Sequence, residues 1–237
     1  MIKITKEMIM EEIVRGRALD HYTTLASRET INAIKDETVR EAFNTNGRVD
    51  FALDVPEITD DIDYLRGIII RLREGNSVVS DGSYEFDLDA SDEERQTSDI
   101  YVNITLPRRY EEDYSFMSRL VAELKETFRH ELEHSSQSTE ELMAVQRAVP
   151  DRVVWKDLQT AENYYLSGAE VKAHVAGIYK KAKSFKKPAT NVLERVLETI
   201  YSTGLWYEHN PRQLAALMEK IQSRWGNYLF DRYPRAQ

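Results

Sequence analysis

The segment Phe128-Arg129-His130-Glu131-Leu132-Glu133-His134 contains the pattern His-Glu-x-x-His, inside a stretch that reads as one continuous helix from about Asp113 to Gln137. Residues four apart lie on one helical face, so the two imidazoles can share a single metal ion. Glu131 follows the first histidine and leans toward the same edge. Upstream, Phe116, Leu120, Leu124 and Phe128 recur every four residues, with Val121 and Leu132 beside them. That is the apolar stripe of a buried amphipathic helix, against which the rest of the chain must pack. The blander alternative is a solvated helix end in which His130 and His134 pair with Glu131 and Glu133.

Composition limits which chemistry such a helix can serve. The chain has no cysteine, which excludes disulfides, thiolate ligands and a cysteine nucleophile, so histidines and carboxylates must carry any metal site. With 237 residues, 41% hydrophobic and 31% charged, it is expected to be a soluble globular protein with a substantial core. No apolar run approaches membrane-spanning length, and acidic residues at Glu7, Glu11 and Glu12 break any secretory pattern. The expected location is the cytoplasm, or a virion packaged from it. A formal net charge of -9 argues against broad nucleic-acid binding. The local cluster Lys180, Lys181, Lys183, Lys186 and Lys187 reads as a solvated helix end and loop.

Along the chain, residues 5 to about 43 read as helical, with a soft break near Ser27, and Asn44-Thr45-Asn46-Gly47 ends the second helix. The middle changes character. Tyr64 to Leu72, Ser83 to Leu88 and Ile100 to Leu106 read as strands of a small mixed or antiparallel sheet, with Gly75-Asn76 and Asp81-Gly82 as turns. Asp87, Asp89, Asp92, Glu93, Glu94 and Asp99 form an acidic segment without the spacing of an EF-hand, and read as a solvated loop. From Ser138 onward, helices are expected from Ser138, over Asp157 to Leu166, from Ser167 to about Lys183, over Pro188 to Tyr201, and from Pro211 to about Tyr228. The fold class is therefore α+β, and the expected division is 1–137 (helices, sheet and motif helix) followed by a helical 138–237.

Two histidines do not complete a catalytic zinc site, which needs three protein ligands and one open position. The best third candidate is Glu170, in the first turn of a helix that Ser167 can cap, with small neighbours Gly168, Ala169 and Ala173 that permit close approach to the motif helix. Glu141, Glu162, Asp157 and His209 compete for the role. The metzincin continuation is excluded, because Gln137 and Glu140 stand where a glycine and a histidine would be required.

With His130, Glu131, His134 and Glu170 in that order, the chain resembles a gluzincin, the zinc metallopeptidase group with a downstream helical glutamate. The likeness is closest over residues 130 to 174 and looser for the strand-then-helix order from about 64. It implies a zincin-like fold whose sheet packs on the motif helix, with an edge strand that binds extended polypeptide. It also implies Zn2+ held by His130, His134 and Glu170, with Glu131 as general base. One departure stands out. Where thermolysin-like members have an aspartate four residues after the ligand glutamate, this chain has His174.

His174 is thus the first choice for an oxyanion donor, followed by Tyr165 and Tyr164. Gln137, one turn beyond His134, can hydrogen-bond near the site, but solvent exposure is the default expectation. The reading that follows is a zinc-dependent metallopeptidase acting on a polypeptide. Compact cysteine-free chains with this HELxH and ExxAH pattern resemble phage or mobile-element products, which gives the alternative of a zincin-fold structural or interaction protein, for example in a virion, with little or no catalysis. Small-molecule or cell-wall amide hydrolysis is a third reading. Oligomeric state is not legible.

Overall fold

In a computed structural model the chain is described over residues 6–62, 65–85, 98–110, 115–149 and 153–234. It is α+β, as its patterning implies. Two N-terminal helices, α1 (Lys6–Lys35) and α2 (Glu37–Asn46), precede β1 (Arg48–Ala52), the single turn α3 (Pro56–Thr59), β2 (Leu65–Glu74), β3 (Val79–Glu85) and β4 (Ser98–Leu106). The motif helix α4 (Met117–Ser135) follows, and then α5 (Thr139–Ala148), α6 (Leu158–Tyr165), α7 (Gly168–Phe185), α8 (Ala189–Trp206) and α9 (Pro211–Arg232). Among the described residues no helix is long and apolar enough to cross a membrane.

The break expected near Ser27 does not occur. The Ser27 hydroxyl donates to the Thr23 carbonyl at 2.7 Å, as Thr23 does to Leu19 and Thr30 to Ala26. Hydroxyls satisfied on the preceding turn leave a helix intact. The break falls instead at Asp36, whose carboxylate accepts from the Thr38 and Val39 N–H groups and caps α2. Gly47, at φ +66, then closes α2 in the left-handed conformation suited to glycine.

The sheet has four strands in the order β1-β2-β4-β3. β2 and β4 pair in parallel at the centre, while β1 and β3 add antiparallel at the two edges. Patterning missed β1, whose five residues carry two charges and bury none of their positions completely. In the central pair, Ile68, Ile70 and Leu72 of β2 and Ile100, Val102 and Ile104 of β4 are fully buried, the period-two alternation of one covered face. The expected Asp81-Gly82 turn is instead the middle of β3. Asp87, Asp89, Asp92, Glu93 and Glu94, with the last three residues of the expected second strand, lie outside the described residues. Asp99 is in β4, paired with Arg66.

Buried apolar side chains form two clusters. One joins α1, α2, the sheet and the stripe of α4, including Leu120, Leu124, Phe128 and Leu132. The other joins α6, α7, α8 and α9, including Val175, Ile178, Leu214, Ile221 and Trp225. α4 and α7 meet between them. The Lys180 to Lys187 cluster splits here, contrary to the solvated reading. Lys180 donates to the Asp20 carbonyl at 2.8 Å, and Lys181 bonds both Glu123 and Glu126 of α4. Lys183, Lys186 and Lys187 stay exposed.

The α4–α7 contact is tightest at Gly177. A Cβ there would stand 2.9 Å from the Glu126 carbonyl oxygen, a backbone atom that cannot swing aside. Replacing Gly177 with leucine is expected to force the helices apart and cost on the order of 1–3 kcal/mol or more of stability, measured by urea denaturation. Gly226→Ala, where an added Cβ meets nothing within 4 Å, serves as the opposite case and should be neutral or stabilising.

Candidate metal centre

The two helices cross where α4 carries the motif and α7 begins. α4 and α7 run antiparallel, so moving from Glu126 to His130 and His134 on one corresponds to moving from Gly177 back to His174 and Glu170 on the other. Ser167 caps α7 by accepting from the Glu170 N–H at 3.2 Å, which fixes the first turn and the carboxylate on it.

The ligand-type atoms converge. His130 Nε2 and His134 Nε2 are 3.0 Å apart. Glu170 straddles them, with Oε2 3.6 Å from His130 Nε2 and Oε1 3.5 Å from His134 Nε2. Atoms bound tetrahedrally to zinc at its usual bond lengths stand about 3.4 Å from one another, so the observed spacings match the edges of such a site. His174 joins from the next turn of α7, its Nε2 3.5 Å from Glu170 Oε2. Among the described residues those last two buried atoms have no hydrogen-bond partner. A buried carboxylate oxygen and imidazole nitrogen that satisfy nothing else are what a cation site requires, and the donor set suits zinc.

The four competing ligands are engaged elsewhere. Glu141 completes the capping box of α5 with Ser138 and pairs with Lys172 at 2.6 Å. Glu162 pairs with Lys220, Asp157 caps α6, and His209 Nε2 lies 3.1 Å from the Trp155 carbonyl.

Glu131 sits on the strand side of the cluster. It is buried and lies against Gly82 of the edge strand. Gly82 marks close approach rather than a turn: a Cβ there would come within 2.7 Å of Glu131 Oε1 and 2.8 Å of Thr127 Cγ2. Ser80 and Thr127 hydrogen-bond at 3.0 Å and tie β3 to α4 one turn before the motif. A cleft of about 310 Å³ opens at this junction, bounded by Gly82 and Tyr84, by the motif residues with Glu170, and by Leu142 and Val145 of α5 with Val149 just beyond its end. A larger cavity of about 480 Å³ between α4, α7 and α8 lies away from every one of these groups.

Burial dominates the electrostatics. It pushes the Glu131 carboxyl up to about 8, with help from the nearby Glu170 carboxylate, and raises Glu170 as well against the pull of His134 and a hydrogen bond from Tyr164. Burial also holds His130 well below the ordinary histidine range, and takes His174 down to about 3 with help from His134. His134 goes the other way: burial works against its charged form, but the Glu170 and Glu131 carboxylates and the Gln137 hydrogen bond outweigh it and leave it raised.

The remaining sequence candidates divide. The His174 ring stacks on Trp225, with centroids 4.6 Å apart and planes 21° from parallel, which fixes its direction. Tyr164, ranked after Tyr165 from sequence, is the one of that pair that lines the cleft, beside Glu170. Tyr165 packs against the second core, its ring 5.7 Å from that of Trp155 and 6.1 Å from that of Trp225. Gln137, expected in solvent, is buried and bonded to His134. Its spacing, one turn after the second histidine, was the available signal. Compared with protein-family models, curated proteins and solved structures, the chain matches none.

Two outcomes follow from this packing. Gly82→Ala is expected to displace Glu131 while leaving the protein folded, visible as a shifted Glu131 carboxyl resonance and an unchanged circular dichroism spectrum. Glu131→Gln tests the burial effect. A carboxyl raised from 4.5 to about 8 on folding contributes stability that is present below 4.5 and lost as pH rises through 8. The metal-free Glu131→Gln protein should therefore gain stability relative to wild type across that window, by an amount on the order of a few kcal/mol, in denaturation series at stepped pH.

Proposed function

We propose that the chain is a zinc-dependent metallopeptidase of zincin-like architecture, in which His130, His134 and Glu170 hold Zn2+ and Glu131 is the general base. The observation that carries this reading is the convergence of two imidazoles and a carboxylate from separate helices, beside a second buried carboxylate facing a cleft. When bound, Zn2+ would supply a Lewis acid for a carbonyl oxygen and make water acidic near neutral pH.

The other tasks belong to the chain. Glu131, packed against Gly82 of β3, is the residue that would take a proton from the attacking water and return it to the departing amine. Among the described residues β3 pairs with β4 on one side only, so its outer edge can add an extended peptide by main-chain hydrogen bonds. Leu142, Val145 and Val149 give the opposite wall an apolar surface for a substrate side chain. Tyr164 offers a hydroxyl donor within the cleft, and burial, followed by the Glu170 charge, keeps that hydroxyl protonated. Peptide is the favoured substrate because the cleft joins a strand edge to an apolar wall.

The decisive experiment is metal analysis of purified protein together with hydrolysis of a fluorogenic peptide library. About one zinc per chain is expected, lost in His130→Ala and strongly weakened in Glu170→Ala. Glu131→Gln should retain zinc and lose roughly 10²- to 10⁴-fold in hydrolysis. Zinc held equally well without Glu170 would remove it as third ligand, and full activity in Glu131→Gln would remove the general base.

A further inference from the structure

The structure assigns to Gln137 the positioning of His134: its side-chain amide sets which imidazole nitrogen carries the proton and ties that ring to the chain beside Glu170. The assignment rests on the metal-centre reading above and adds to it a residue that sequence placed in solvent.

Gln137 lies in the link between α4 and α5. Its backbone N–H donates to the His134 carbonyl at 3.0 Å, and the next residue, Ser138, caps α5. The link is therefore held from both sides, and the side chain, 6% exposed, projects one turn beyond His134 on the same face.

Its two bonds fix one another. Gln137 Nε2 is 2.9 Å from the Ala169 carbonyl oxygen, and a carbonyl only accepts, so the nitrogen end of the amide faces α7. The oxygen end then faces His134, with Oε1 2.9 Å from Nδ1. An amide oxygen only accepts, so Nδ1 must bear the proton. A neutral imidazole has one N–H and one lone pair, which leaves the lone pair on Nε2, facing His130 Nε2 and Glu170 Oε1. This is the tautomer that a ligand acting through Nε2 needs.

The second bond reaches the other half of the site. Ala169 immediately precedes Glu170, so one buried amide spans from the second motif histidine to the backbone that carries the third carboxylate. A tie that only held helices together would not need its oxygen on a ring nitrogen.

The test uses the whole chain labelled at histidine nitrogens, with Gln137→Met, which removes both bonds at similar length, and Gln137→Glu, which keeps an acceptor for Nδ1 and drops the donor to Ala169. In the metal-free wild type, at a pH high enough to leave His134 neutral, nitrogen-proton correlation spectra should show it protonated at Nδ1 and not at Nε2. Gln137→Met should lose that preference, and its Zn2+ affinity, by competition with a chromophoric chelator, should fall roughly 10- to 100-fold. Gln137→Glu should keep the tautomer and recover most of the affinity. A folded Gln137→Met protein with unchanged tautomer and affinity overturns the assignment, as does loss of the tautomer in Gln137→Glu should the methionine variant fail to fold. A wild type that binds no Zn2+ overturns the metal-centre reading instead, and the metal-free spectra then still decide what Gln137 does.

Discussion

The contact on which the rest depends is the near-touching of α4 and α7 at Gly177 and the Glu126 carbonyl. Two antiparallel helices that meet this closely put successive turns in register, and the register decides which side chains face one another. From Glu126, one turn leads to His130 and a second to His134. From Gly177, about one turn leads back to His174 and about two to Glu170. Lys181, clamped to Glu123 and Glu126, holds the same interface at its other end. The histidines and the glutamate are thus brought together by a backbone contact several ångströms from any of them.

That contact also forces an electrostatic conflict. Three imidazoles and two carboxylates share a buried corner, and burial drives most of them toward neutrality: Glu131 and Glu170 upward, His130 and His174 downward. A fold selected for stability alone would fill such a corner with apolar groups, since burying charges there is unfavourable. The neighbouring turns of α4 and α7 do so, with Phe128, Leu132, Val171 and Val175. Perturbed titratable groups set against a cleft support the proposed function on physical grounds independent of the His-Glu-x-x-His pattern.

Local patterning made the motif helix, the two central strands and the C-terminal helices readable, because caps such as Ser138, Ser167 and Asp157 and the alternation of Ile100 to Leu106 act within a few residues. What escaped was decided across the fold. Ser27 has a turn-former's side chain, yet its hydroxyl is satisfied by Thr23 and the helix runs through. Gly82 reads as a turn until Glu131 is found where its Cβ would be. β1 is short and half-polar, and exists because β2 offers it a ladder. Lys180 and Lys181 look solvated in sequence and become partners of Asp20, Glu123 and Glu126 only when α7 lies along α1 and α4. Glu170 was legible because cap, small neighbours and first-turn position all fall within one short segment.

The departure at His174 has a physical consequence that bears on how such a site can work. An aspartate in that place would orient the first motif histidine and add negative charge behind it. Here His174 stacks on Trp225 and presents an unpartnered nitrogen to Glu170, so it adds a donor atom inside the cluster and no charge behind it. Among the described residues, the hydrogen bond that reaches a motif imidazole from outside the motif is made instead to His134, by a neutral amide. A neutral partner settles direction and tautomer without adding the negative charge that a carboxylate would. The charge that balances a cation must then come from Glu170 and Glu131 themselves, both of which burial drives toward their neutral forms in its absence. Ion and ionised carboxylates would therefore be coupled, each favouring the other, and a held cation would keep Glu131 in the ionised form that can accept a proton.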